Sequence, residues 1–390
     1  MTKVIYLCNA LDEETKNSRF ITTDSPAATK KVFSLCYALK TASVASIILS
    51  MGRGRQNGTS MRFPKLRKSI NGIDVLYASF WHIPVLTHVV TALSLMLNMR
   101  ILIKKGGNVL LVYNCCWHYI PALLLAKLFG LRCFLDLEDG WVDGKQSWVQ
   151  KTKASFFNWA CNSGSLLACD ALKSQVKTDR NLTCYGAVST LREIKRDWNS
   201  DKIQVLFGGS LSEGTGAKLF IEAIEVFMRK YPSTRHSLHV TVVGFGDMTQ
   251  EIARFATCKT GGMVEFRGSV SNSDYAELLD SNHIGLCLKL SSGPFHDSTF
   301  PSKVIELSSN GLLIISTPVS DVPKLFSSEM AILLPSDSAE ALADALFWVV
   351  KHRQEASFRA NRGRDMIVQR FSEEAVGLEL RTFLYNENRK

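Results

Sequence analysis

IQVLFGGSLSEGTGAKLFIEAIEVF, residues 203–227, decides how the rest of the chain is read. Its opening apolar run is strand length. Four glycines follow, Gly208, Gly209, Gly214 and Gly216, and apolar residues then recur at helical spacing from 217 to 229. Strand, glycine turn and helix form the repeating unit of a parallel α/β sheet. Glycines let backbone N–H groups come close to a phosphate, and the following helix start adds positive potential. The loop is neither a Walker A loop nor GxGxxG, so a ligand loop and an ordinary tight turn both remain open.

The alternation continues outward in both directions. Toward the C-terminus, strands are expected at 203–207, 240–243, 264–266, 284–288, 312–316 and 332–334. Helices are expected at 217–229, 250–257, 273–280, 302–309 and 339–352. Toward the N-terminus, strands are expected at 3–8, 44–49, 109–113 and 132–137, with helices at 29–40 and 120–129. Residues 186–202 are polar and charged and read as a linker. The expected fold is therefore α/β, with two Rossmann-like doubly wound domains facing a cleft. The expected boundaries are 1–185, 203–370 and a last helix within 371–390. In such sheets, ligands sit beyond the carboxyl ends of the strands.

With 390 residues, 46% hydrophobic and 21% charged, the chain suits two globular domains and excludes disordered, collagen-like and coiled-coil proteins. The net charge of +10 is uneven: residues 1–200 carry +13 and residues 201–390 carry −3. A basic N-terminal half points to an anionic partner there. Nucleic acid is not expected, because the basic residues are not interleaved with stacking aromatics. Ten scattered cysteines lack zinc-ligand spacing, so no metal and no cofactor are expected, and their apolar settings suit a reducing compartment. The apolar start is too short for a signal peptide, so the expected location is cytoplasmic.

Residues 75–99 contain no Asp, Glu, Lys or Arg. Their length alone would permit a membrane span, but His82, Pro84 and His88 speak for a strand end followed by a buried or half-buried helix. A helix lying on an anionic membrane surface is the other open reading. The basic residues just before it, Arg53, Arg55, Arg62, Lys65, Arg67 and Lys68, fit that reading and fit a solvated loop equally.

Several motifs carry candidate chemistry. In STFPSKVIELSSNG, residues 298–311, Lys303 lies in the first turn of a short helix and Glu306 is on the same face. A cation for a diphosphate beside a carboxylate for vicinal hydroxyls suits a nucleoside diphosphate; an ordinary surface Lys–Glu pair has the same spacing. VVGFGD, residues 242–247, ends a strand at Gly244. LDLEDGW, residues 135–141, ends one at Glu138 and Asp139. YNCCWHY, residues 113–119, places His118 just past another strand.

The order of these pieces carries a resemblance. FGGSLSEGTGAKLFIEAIEVF, LHVTVVGFGD, VEFRGSVSNSDYAELLDSNHIGL and FPSKVIELSSNGLLIISTPVSDVPKLF together resemble the nucleotide-sugar domain of the GT-B-fold glycosyltransferases. The resemblance is particularly to the family-four retaining group of bacterial surface polysaccharide synthesis. The resemblance implies transfer from a nucleotide-diphospho-sugar, UDP or GDP type, to a glycan or lipid-linked acceptor, with peripheral attachment to the inner membrane face as an option. It implies Glu306 at the ribose hydroxyls, Lys303 at the diphosphate, and Gly208 and Gly209 at the sugar phosphate. It also implies a catalytic position facing the donor for Asp139 or Glu138. Two positions depart from the pattern: Ser210 and Thr215 stand where an Arg and a Lys are usual. A third, Ser298, stands eight residues before Glu306, where a Glu is usual. A sugar-nucleotide 2-epimerase and a non-catalytic, partner-dependent sugar-nucleotide-binding subunit are the alternatives.

Overall fold

The computed structural model describes residues 3–21, 25–55, 61–83, 86–141, 147–189, 196–292 and 298–385. The chain divides into two compact units, one of residues 1–189 with 371–390 and the other of residues 190–370.

Among its described residues the first unit holds ten strands: β1 Lys3–Cys8, β2 Ala45–Ser50, β3 Arg62–Phe63, β4 Leu66–Ile70, β5 Ile73–Tyr77, β6 Phe80–Trp81, β7 Gly107–Tyr113, β8 Arg132–Leu137, β9 Gly164–Leu167 and β10 Asn181–Thr183. Its helices are α1 Glu13–Ser18, α2 Pro26–Thr41, α3 Leu86–Lys104, α4 Ile120–Leu128 and α5 Trp148–Ala160. Eight strands form one sheet in the order β10-β9-β8-β7-β1-β2-β5-β4, parallel throughout except for the antiparallel edge strand β4. The inner strands are continuous apolar runs such as VIYLC and VLLVY, because helices cover both faces of a parallel sheet. Edge strand β4 instead carries Arg67 and Lys68, which pair with Asp74 (2.8 Å) and with Asp12 and Glu14 (3.3 and 3.0 Å). These ion pairs account for part of the basic run before residue 75.

The second unit holds β11 Ile203–Ser210, β12 Leu238–Phe245, β13 Val264–Gly268, β14 Ile284–Cys287, β15 Leu313–Ser316 and β16 Ala331–Leu333. Its helices are α6 Ala217–Lys230, α7 Thr249–Lys259, α8 Asn272–Ser281, α9 Lys303–Ser309, α10 Val322–Leu325, α11 Ala339–Lys351 and α12 Arg353–Phe371, the last ending where the first unit resumes. All six strands are parallel in the order β13-β12-β11-β14-β15-β16. This is the dinucleotide-fold order, with the direction of winding reversing between β11 and β14. Its core is aromatic: Phe207 stacks on Phe220 with centroids 4.9 Å apart, and Phe227 is fully buried.

The last helix, α13 Glu373–Tyr385, belongs to the first unit and packs on α2. Gly377 makes the approach close, since a Cβ there would lie 2.0 Å from the Ala38 carbonyl oxygen. Within the stretch expected as a linker, Val188 bridges Ser372 and Trp198 is buried in the second unit's core.

Candidate functional site

In the second unit the candidate residues gather at the carboxyl ends of β11 and β14, the switch point of the sheet. Strand β11 ends in Gly208, Gly209 and Ser210. Gly209 pairs with Gly244 of β12, and the two backbones touch: a Cβ on Gly244 would lie 1.9 Å from the Gly209 carbonyl oxygen. Gly209 itself has φ +121°, and a Cβ there would lie 2.0 Å from Lys303 Nζ. Lys303, the first residue of α9, therefore lies across the glycine pair, and its ammonium donates to the Gly208 carbonyl.

The remainder of the loop is fixed by its own groups. The Thr215 hydroxyl donates to Ser210 O (2.6 Å) and accepts from Ser212 N (3.0 Å). Gly216, at φ +82°, caps α6 against Leu288, and Leu290 N donates to Gly214 O (3.0 Å). Strand β14's exit and the glycine loop are thus stitched together. Glu306 lies one turn beyond Lys303 on α9. Burial pushes the nearby Cys287 thiol up to about 12, with Lys303 pulling it down and Glu306 adding to the rise. The Ser298 hydroxyl is buried and finds no hydrogen-bond partner among the described residues; Asp297 beside it lies outside them.

Two supporting residues escaped the sequence reading. Lys289, past the end of β14, donates to the Thr299 carbonyl (3.0 Å) and holds the chain leading into α9. Arg196 caps the far ends of α8 and α9, donating to the carbonyls of Leu279 (2.6 Å), Asp280 (2.8 Å) and Gly311 (3.1 Å) and to that of Asn282. Burial lowers its pKa to about 10. The signal for Arg196 was faint, since it sits in a stretch whose charge density reads as solvated.

In the first unit the other candidates cluster beyond β7 and β8. Asp139 is exposed, and its carboxylate accepts from Asn114 Nδ2 (3.0 Å). The Asn114 side-chain oxygen accepts from the backbone of Glu138 (2.8 Å) and Asp139 (3.2 Å), so one left-handed residue, φ +54°, organises the whole acidic turn. Glu138 is turned inward, paired with buried Lys31, which also binds Asp136 at 3.0 Å. Burial opposes the Lys31 charge, yet the two carboxylates outweigh it and raise its pKa well above the ordinary range. His118 lies in a single turn of 3₁₀ helix, with Nε2 2.8 Å from His88 Nδ1 and Nδ1 3.3 Å from Cys116 Sγ. Burial, and then His88, hold it below the usual histidine value. Among the described residues, no group of three His, Cys, Asp or Glu is arranged to hold a metal ion.

A flexible cation over bare glycine backbone, with a carboxylate one turn on, is an arrangement that can hold a diphosphate and neighbouring hydroxyls. Residues 202–352, which contain all of it, match the family described as glycosyl transferases group 1. The whole chain superposes on TarM of S. aureus with TM-score 0.68 at 11% identity, over 99% of each chain. The chain has the GT-B glycosyltransferase fold. Two further likenesses also span nearly the whole chain. HepE of Anabaena, solved with UDP-glucose, matches at TM-score 0.66 and 12% identity, over 97% of this chain and 98% of that one. Sucrose-phosphate synthase of Thermosynechococcus elongatus matches at TM-score 0.67 and 14% identity, over 97% of each. No curated protein matches this GT-B chain by sequence.

Proposed function

We propose that this chain moves a sugar from a nucleoside-diphosphate sugar of UDP or GDP type to a glycan or lipid-linked acceptor. The setting proposed is cell-surface polysaccharide synthesis at the inner face of the membrane. The observation that carries the reading is Lys303 lying on Gly208–Gly209 at the switch point of the glycosyl transferases group 1 region. The UDP and UDP-glucose complexes of HepE support the donor class.

In the proposed reaction, the bond from the anomeric carbon to the diphosphate oxygen breaks and negative charge grows on the leaving group. Lys303 and the N–H groups of the glycine loop stabilise that charge, and Glu306 holds the ribose hydroxyls. The acceptor hydroxyl attacks on the face the diphosphate leaves, and its proton passes to the departing phosphate oxygen, so configuration is retained. The acceptor binds the first unit, where Arg53 and Lys153 add positive potential around Cys116 and where Asp139 and His118 lie. The Thr215 hydroxyl is engaged within its own loop, which places the work of the missing loop cations on Lys303. The same fact favours the second reading, a partner-dependent sugar-nucleotide-binding subunit.

The test is thermal shift against a panel of nucleoside diphosphates and their sugars, repeated with Lys303→Ala and Glu306→Ala. One nucleotide should raise the midpoint in a concentration-dependent way, and both variants should lose the rise. With an acceptor in hand, Lys303→Ala should lower turnover by about 100-fold or more. Near-normal turnover would end the proposed role. A shift without any turnover would favour the partner-dependent subunit.

A further inference from the structure

Most of the large apolar side chains exposed among the described residues lie on three successive helices of the first unit and their flanks. On α3, Val89, Leu93, Leu97 and Ile101 recur every four residues and form one outward stripe, with Leu97 58% exposed. Leu128, at the end of α4, is 81% exposed, and Trp148, at the start of α5, is 78% exposed. The helices are joined: α3 packs on α4, α4 touches α5, and Lys127 of α4 reaches over the Trp159 ring of α5 at 5.0 Å.

The usual sense of a surface helix is inverted in α3. Its inward face includes the buried polar residues Thr91 and Asn98, while its outward face is leucine-rich. By length and composition alone α3, with 19 residues, could cross a membrane. Its inner face, however, is committed to the unit. Leu95, Met99 and Leu102 are buried there, and the Ser94 hydroxyl accepts from Ser79 N at 2.9 Å. A span would break these contacts; lying flat against a bilayer preserves them.

Charge selects the occupant. Residues 75–135 contain no Asp or Glu, and neither does α5. Exposed Arg100 and Lys104 continue the α3 stripe, Lys105 follows directly, and Lys151 stands on α5. Among the described residues of α3, α4 and α5 no acid stands beside the apolar side chains, an arrangement that repels a basic partner and fits an anionic lipid surface.

We propose that the α3–α4–α5 face docks this chain on anionic membrane, with the leucine and tryptophan side chains in the headgroup boundary and Arg100, Lys104 and Lys105 against lipid phosphates. The surface gains its purpose from the proposed transfer to a lipid-linked acceptor and rests on that reading for its role.

Flotation of the full chain tests it, using vesicles of phosphatidylcholine alone and vesicles containing about one-third phosphatidylglycerol. The wild type should float with the anionic vesicles at least tenfold more than with the neutral ones. Joint replacement Arg100→Ser, Lys104→Ser and Lys105→Ser should lower partitioning on the order of 100-fold at low salt, at about fivefold per charge. Leu97→Glu with Leu128→Glu should abolish it while leaving the thermal midpoint unchanged, because both side chains are exposed. No flotation, or equal flotation with both vesicles, would overturn the proposal. So would a concentration-dependent dimer that Leu97→Glu dissolves, since the face would then bind a second copy. The thermal shift against the nucleoside-diphosphate panel is read on the same samples. Its absence in the wild type with every nucleotide would count against the donor site and leave the docking surface standing, and its survival in the Glu variants separates docking from nucleotide binding.

Discussion

A single missing Cβ sets the geometry of the glycine loop. At Gly209 the left-handed backbone disfavours any side chain, and the space a Cβ would fill is occupied by the Lys303 ammonium. Gly209→Ala should therefore act twice. Backbone strain should lower stability by about 1–3 kcal/mol, and displacement of Lys303 should abolish the nucleotide-induced thermal shift. Retention of a full shift in the folded variant would show that the cation need not sit on the glycine pair. Gly244→Ala should be harsher, because its Cβ would meet the rigid Gly209 carbonyl rather than a flexible lysine tip. The glycines were legible as a loop, but the lysine's reach was not. Lys303 and the Gly208 carbonyl are 95 residues apart, and only the adjacency of β11 to β14 brings them together.

The strands were the easiest elements to read, since buried parallel strands are bare apolar runs; even so, β11 and β12 run two or three residues further than expected, into the glycines. Helix α2 starts at Pro26 rather than at 29 because Ser25 caps it and Pro26 suits the first turn. Three elements gave too little signal. Helix α12 is so polar that its periodicity is weak, and β9 and β10 are only four and three residues long. The hardest element to anticipate was the support of α9. Arg196→Ala would strip several buried carbonyls at the ends of α8 and α9 of their donor, and unfolding free energy should fall by about 2 kcal/mol or more. Arg196→Lys should recover little, because one ammonium cannot span carbonyls served by a planar fork. Urea midpoints of the two variants check this.

Neighbouring His283 predicts a pH dependence. Its Nδ1 accepts from Gln204 N (3.0 Å) and its Nε2 donates to Asp197 O (3.0 Å), so the neutral ring fits and the protonated ring loses an acceptor. Burial holds its pKa below the usual histidine value. A depressed folded-state value means that the unfolded chain binds the proton more readily. The stabilisation is then present above the ordinary histidine range and is lost as pH falls below about 6.5. The thermal midpoint should drop between pH 7.5 and 5, and His283→Gln should flatten that drop. An unchanged slope would remove His283 as the cause.

For the molecule as a whole, the fold class was readable because alternation of strands and helices is a property of the whole chain. The proposed docking surface was only half readable: the acid-free run stood out, but which of its residues turn outward depended on the packing of α3. The first unit also has a feature that bears on how the protein is made. Its sheet is laid down early, yet the groove of α2 against Ala38 waits for Gly377 and the rest of α13. A ribosome releases every residue of the second unit before it releases that helix. The later-synthesised unit can therefore finish folding first, while the earlier one stays open along α2 until residues 373–385 emerge. A nascent chain stalled so that residues up to 372 have emerged and α13 is still inside the ribosome should thus carry a protease-resistant second unit beside a first unit still open to cleavage.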